Sequence, residues 1–127
     1  MSDKRQSFWQ RLFGRRQEPV QVANENAIDP VDESVPWEDA YEIVIFNDDV
    51  TPMEFVVELL EQHFLMSRQE SVNLMLRVHT NGKEGVGRLA QQKADDICNE
   101  MLKTIRERQL PLKVEALKWT AARISKD

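Results

Sequence analysis

This 127-residue chain has a single cysteine, Cys98, which excludes an intramolecular disulfide framework and a cysteine-built zinc site. No apolar run approaches the roughly 20 residues needed to cross a bilayer. The first sixteen residues carry arginine and aromatics but lack the apolar stretch and small-residue cleavage site of a secretory signal. Positive charge is in deficit, with 17 Lys and Arg against 22 Asp and Glu and a net charge of −5. That argues against nucleic acid as partner of the whole chain. No segment repeats. What remains is one small domain with tails, expected in the cytoplasm.

Charge divides the chain. Residues 1–17 carry five basic side chains (Lys4, Arg5, Arg11, Arg15, Arg16) against Asp3 alone. Among them Phe8, Trp9, Leu12 and Phe13, ringed by Arg11, Arg15 and Arg16, could form an amphipathic turn or two touching an anionic membrane or an acidic partner. A free helix that short is not stable. Residues 18–40 hold seven acids, no Lys or Arg, and Pro19, Pro30 and Pro36. Such a segment buries too little apolar surface to offset its ordering entropy, so residues 1–40 are expected to form a flexible, disordered extension. Residues 41–117 form the domain, and 118–127 a polar tail in which Trp119 packs on the domain edge. A domain this size buries only about 60% of its unfolded surface. It has no room for a deep active site, so a surface groove is the expected device.

Tyr41-Glu-Ile-Val-Ile-Phe46 reads as a strand, ended by Asn47-Asp48-Asp49. Thr51-Pro52-Met53-Glu54 matches a capping box, with the Thr hydroxyl capping, Pro at the first helical position and Glu reaching back. Phe55, Val56, Leu59, Leu60, His63 and Phe64 then recur at helical spacing. Ser67-Arg68-Gln69-Glu70 repeats the cap before a second helix to about His79. Gly82, Gly85 and Gly87 mark turns around a short, weak strand. Residues 90–108 form the clearest helix, with Ala94, Ile97, Cys98, Met101, Leu102 and Ile105 as its buried stripe. Pro111 stops it, and residues 112–117 alternate as a last strand. The order β-α-α-β-α-β predicts an α+β fold, with three helices on one face of a small antiparallel three-stranded sheet.

Residue by residue, the polar groups have ordinary readings. Asn47-Asp48-Asp49 is a turn. His79 near a helix end is a dipole contact. Met53, Val56, Met75 and Val78 are core. A metal set of Asp48, Asp49, His63 and His79 is disfavoured because His63 sits on an apolar helix face, so no metal or cofactor is expected. Cys98 is structural. No nucleophile–base pair stands out, so no enzyme is expected.

Together the residues say more. Asn47-Asp-Asp-Val-Thr-Pro-Met-Glu-Phe-Val56, then Met75-Leu-Arg-Val-His79, Gly82-Lys83 and Leu110-Pro111-Leu112 in register, resemble the ClpS adaptor family over residues 41–117. That resemblance implies an adaptor carrying N-degron substrates to a Clp AAA+ protease. It implies that the free α-amino group and a bulky first residue (Leu, Phe, Tyr or Trp) are bound. An ammonium needs acceptors and negative charge, which Asn47, Asp49 and neutral His79 offer. In extended chain Asn47 and Asp49 share a side, so Asp48 is expected to point elsewhere and ranks below them. By the same resemblance Ile45, Thr51, Met53, Val56, Met75, Val78 and Leu112 line the side-chain pocket. Met53 would be its gatekeeper, crowding β-branched residues.

The third helix departs from that pattern. Where relatives carry Thr, Glu and Lys to dock the ATPase amino-terminal domain, this chain has Ala90, Gln92, Asp95 and Ile97. The leading expectation is an adaptor for a ClpA/ClpC-type unfoldase. The alternatives are an N-terminus-binding regulator that no longer delivers and an interaction domain like the carboxyl-terminal domain of the ribosomal stalk protein. Nothing in the sequence calls for a homo-oligomer.

Overall fold

The β-branched run Ile43-Val44-Ile45 makes Tyr41–Phe46 (β1) the central strand of the sheet. The computed structural model describes residues 26–119. Lys83–Leu89 (β2) and Lys113–Lys118 (β3) pair antiparallel with β1 on either side, in the order β2-β1-β3. Phe46 faces Lys83 and Lys113 across the two ladders, and at the other end Tyr41 faces Leu89 and Lys118. Alternation sends Ile43 and Ile45 into the core with Val86 and Val114. Glu42, Val44 and Phe46 take the opposite face. Gly85 is where β2 must stay bare, because a Cβ there would collide with the Glu42 carboxylate.

Met53–His63 (α1), Arg68–Asn81 (α2) and Gln91–Glu107 (α3) cover the Ile43–Ile45 face. Leu59, Leu60, Val72, Met75, Ala94, Met101 and Ile105 join the same core. The expected β-α-α-β-α-β order is the observed one. β2 is a full seven-residue strand rather than a weak one. Leu102, placed in the buried stripe by periodicity, is only half-buried.

The two matching cap sequences behave differently. At α2 the capping box forms: Glu70 N–H donates to Ser67 Oγ (3.1 Å), and Ser67 N–H donates to Glu70 Oε1 (2.9 Å). At α1 it does not. Pro52 is the N-cap, with no side-chain cap. The helix begins one residue later than the box requires, which leaves Thr51 before the cap, and its hydroxyl donates to Asp48 Oδ2 at 2.8 Å.

Residues 26–40 correct the expectation of an unstructured linker through residue 40. Ile28 N–H donates to the His63 carbonyl (3.1 Å), and Leu65 N–H to the Ile28 carbonyl (2.8 Å). Arg88 and this segment, a strap over residues 26–40, exchange two further bonds, Arg88 N–H to Pro30 O (2.8 Å) and Asp32 N–H to Arg88 O (2.9 Å). The Arg88 side chain donates Nε–H to Val35 O at 2.8 Å and lies 4.4 Å over the Trp37 ring. Trp37 stacks on Trp119 at 4.7 Å, and Trp119 N–H closes onto Ala40 O (2.8 Å). Composition alone misses this because an edge strand offers unpaired backbone groups that an acidic segment satisfies as well as any other. The basic aromatic stretch of residues 1–17 and the tail beyond Trp119 lie outside the described residues.

Candidate functional site

At the Phe46 end of β1 the chain leaves the sheet as Asn47-Asp48-Asp49-Val50-Thr51. Its first turn is fixed at both sides. Asn47 N–H donates to Gly82 O at 2.8 Å, which ties the loop to the end of α2. Gly82 ends α2 in a left-handed conformation (φ 89°), where its missing Cβ avoids strain, and its own N–H donates to Val78 O at 2.9 Å. On the other side Asp48 Oδ1 accepts Val50 N–H (2.8 Å) and Thr51 N–H (2.7 Å). Burial works to raise the Asp48 carboxyl. The bonds from Thr51 and Val50 together outweigh it and hold the group below the usual carboxylate range.

This loop, the start of α1, the end of α2 and the residue before β3 enclose a small depression. Asn47, Asp48, Thr51, Met53, Val56, Met75, Val78, His79 and Leu112 line it. Its cavity volume is about 10 Å³, room for about one water. Met75 and Val78, both buried, form its floor, and Leu112 closes one wall. Met53 and Val56 share a face of α1, as their spacing requires. His79, exposed in the last turn of α2, stands at the rim with Asn47.

Two of the expected site residues, Ile45 of the lining and the ammonium acceptor Asp49, are not among those that line the depression. Ile45 is 0% exposed, in the core. Asp49 is exposed and outside the lining, whereas Asp48 lines it. The alternation argument fails here because the strand ends at Phe46 and the chain bends over residues 49–51 instead of continuing as a strand. Asp48 does not point away: it builds the loop, and its acceptors are taken up by backbone and hydroxyl donors.

The remaining titratable groups serve packing. His63 is buried, and its Nε2 meets Thr104 Oγ1 at 3.1 Å. Thr104 Oγ1 also lies 3.3 Å from Glu100 O. Burial lowers the His63 pKa, opposed by the Glu100 charge. The Cys98 thiol is buried and pushed up, first by desolvation. Among the described residues no group of three His, Cys, Asp or Glu side chains is arranged to hold a metal ion. Nor is any described helix long and apolar enough to cross a membrane.

Sequence reasoning missed the cross-strand row Lys83–Phe46–Lys113, with both ammoniums over the Phe46 ring, and the loop residue Val50, which is 68% exposed. The cross-strand register that forms the row is not written in any one segment.

The family model of the ATP-dependent Clp protease adaptor protein ClpS matches residues 37–115. The chain belongs to the ClpS family. Among solved structures, Agrobacterium tumefaciens ClpS2 bound to L-phenylalaninamide is similar, with a TM-score of 0.56 and 27% identity. That match covers 62% of this chain and 95% of ClpS2. The ClpS match begins at Trp37 and so leaves out most of the strap, which packs on the domain from Ile28 onward.

Proposed function

We propose that this ClpS-family chain is a non-enzymatic adaptor. It binds the free α-amino group and bulky hydrophobic first residue of N-degron proteins and presents them to a ClpA/ClpC-type AAA+ unfoldase. The observation that carries the reading is one depression with an apolar floor and a polar rim, lined by the residues the family resemblance singles out apart from Ile45 and Asp49. Asn47 and His79 accept from the ammonium, with the Asp49 carboxylate on the adjacent loop. Hydrogen bonds to a charged group contribute about 1.5–3 kcal/mol each. Met53, Val56, Met75, Val78 and Leu112 receive the side chain, and burying a Leu or Phe contributes about another 1.5–3 kcal/mol. Thr51 and Asp48 hold the loop that places Asn47. The similarity to ClpS2 with bound L-phenylalaninamide supports an aromatic first residue.

Titration calorimetry with short peptides tests this directly. Peptides beginning with Leu or Phe and carrying a free amine are expected to bind. Their acetylated forms, and peptides beginning with Val, are expected not to. Equal binding of all of them would overturn the reading in favour of the stalk-like interaction domain.

Delivery is the finer claim, and one observation favours the regulator that does not deliver. Of the positions matching the family's docking pattern, Gln92 and Asp95 are exposed, but Ile97 is buried in the core. Ile97 therefore offers no side chain to a partner. Binding of the chain to the amino-terminal domain of ClpA or ClpC supports the adaptor; its absence leaves the regulator.

A further inference from the structure

The three helices α1–α3 pack on the Ile43–Ile45 face of the sheet. The opposite face carries Glu42, Val44 and Phe46 on β1, with Leu117, Glu115 and Lys113 directly across on β3. None of these helices covers it, yet it is not open: Val44 and Glu42 are each 3% exposed. Their described neighbours on that face do not account for this. Gly85, across from Val44 on β2, has no side chain to lend. The Lys83 and Lys113 ammoniums stand over the Phe46 ring, at the far end of the strand. Glu115, on the other side of Val44, keeps a 42% exposed side chain and meets Lys113 at 3.4 Å. Trp119 is committed to the Trp37 ring at 4.7 Å. The Tyr41 half of this face therefore needs a cover. Because the Glu42 carboxylate lies against Gly85, that cover has to suit a buried negative charge.

The chain itself arrives at the right place. Trp119, two residues after Leu117, donates its N–H to Ala40 O and is where the backbone turns from strand to helix. Thr120-Ala-Ala-Arg-Ile-Ser-Lys-Asp127 follows. Continued as a helix, the chain rises about 6 Å over four residues and returns Arg123 to the side of Trp119. Two strand residues span about the same distance, which is the step from Trp119 back to Leu117, and Leu117 is the cross-strand partner of Glu42. Ala121 and Ala122 favour a helix and are small enough to lie close over a sheet that is bare at Gly85. Arg123 and Lys126 bring positive charge to a surface whose carboxylates are Glu42 and Glu115. The ClpS match ends at residue 115, so this cover lies beyond the part of the chain that the family describes.

We propose that residues 120–127 fold back over the outer face of the sheet as a short helix that seals Val44 and pairs Arg123 with Glu42. This holds whether or not the depression binds an N-terminus. The test uses the isotope-labelled full chain. Nuclear Overhauser contacts are expected between the Val44 methyls or the Gly85 Cα protons and side chains beyond Trp119. Arg123→Ala is expected to lower the urea midpoint of the wild type, and to lower that of Glu42→Gln by much less, because the two side chains share one interaction. Three results overturn the inference: no contact from Val44 or Gly85 to any residue beyond Trp119; contacts to residues 1–25, or to a second copy in a mixed labelled and unlabelled sample, in their place; or an Arg123→Ala loss of the same size in both backgrounds. The contacts are read on the unaltered chain, so the outcome does not depend on Glu42→Gln folding.

Discussion

The two ends of β1 are finished in opposite ways. At the Tyr41 end, strap, β2 and Trp119 close on one another with backbone hydrogen bonds, and Arg88 fills the junction by bonding Val35 O and covering Trp37. At the Phe46 end only one carboxylate, Asp48, is turned inward to hold the loop, and α1 starts with no side-chain cap. Asn47 and His79 are left at the rim of an apolar floor, with Asp49 exposed outside the lining. An end whose polar groups satisfy each other contributes stability. An end that keeps its acceptors for something else can bind. On this account affinity and stability are carried by different residues.

Separating the two is therefore the way to break the comparison. His79→Ala has the largest expected effect: a peptide affinity loss of about 10-fold to 100-fold, corresponding to one charge-assisted hydrogen bond. Its melting temperature should match the wild type by calorimetry. Arg88→Ala should do the reverse. Losing a hydrogen bond and a cation–π contact costs about 1–3 kcal/mol, read as a lower urea midpoint. Peptide affinity should not change. A matched loss of affinity in Arg88→Ala would show that the two ends are coupled, and the contrast would fail. Met53→Ala sharpens the site end. It should admit Ile- and Val-initiated peptides with a gain of about tenfold, on the scale of one or two methylenes of space. Unchanged selectivity would remove Met53 as gatekeeper.

Acid resolves the ends by pH. His63 anchors the strap through its carbonyl, and its folded-state pKa is lowered. The unfolded chain takes up that proton first as pH falls, so stability is full above about pH 6.5 and declines below it. His63→Gln should flatten this part of a stability-against-pH curve. Asp48 is also lowered, so its contribution is present above about pH 4 and is lost only in stronger acid. The smallest effect is expected at the formed capping box. Ser67→Ala should cost about 1 kcal/mol in denaturant melts and leave binding untouched.

The helices and strands were legible because their apolar spacing and turn residues agree. The site was legible only as a resemblance, since Asn47, Asp48, Asp49 and His79 have ordinary local readings. What stayed hidden depended on groups distant in sequence. Thr51-x-x-Glu54 and Ser67-x-x-Glu70 carry the same local signal, but α1 is capped at Pro52, one residue past Thr51, and only the second box forms. Asp48 itself was misplaced because alternation was carried past the last strand residue. The strap escaped a composition argument because its anchors, Ile28, Val35 and Trp37, are few and its main partner is the edge of β2.

The central claim is that a free hydrophobic N-terminus enters the depression at the Phe46 end. A heteronuclear NMR titration of the isotope-labelled chain with a Phe-initiated peptide bearing a free amine tests it most directly. The account predicts saturable amide shifts at Asn47–Met53, Met75–Gly82 and Leu112, none across Ile28–Trp37, and none anywhere with the acetylated peptide. Shifts centred on the strap, or equal shifts with the acetylated peptide, would contradict it.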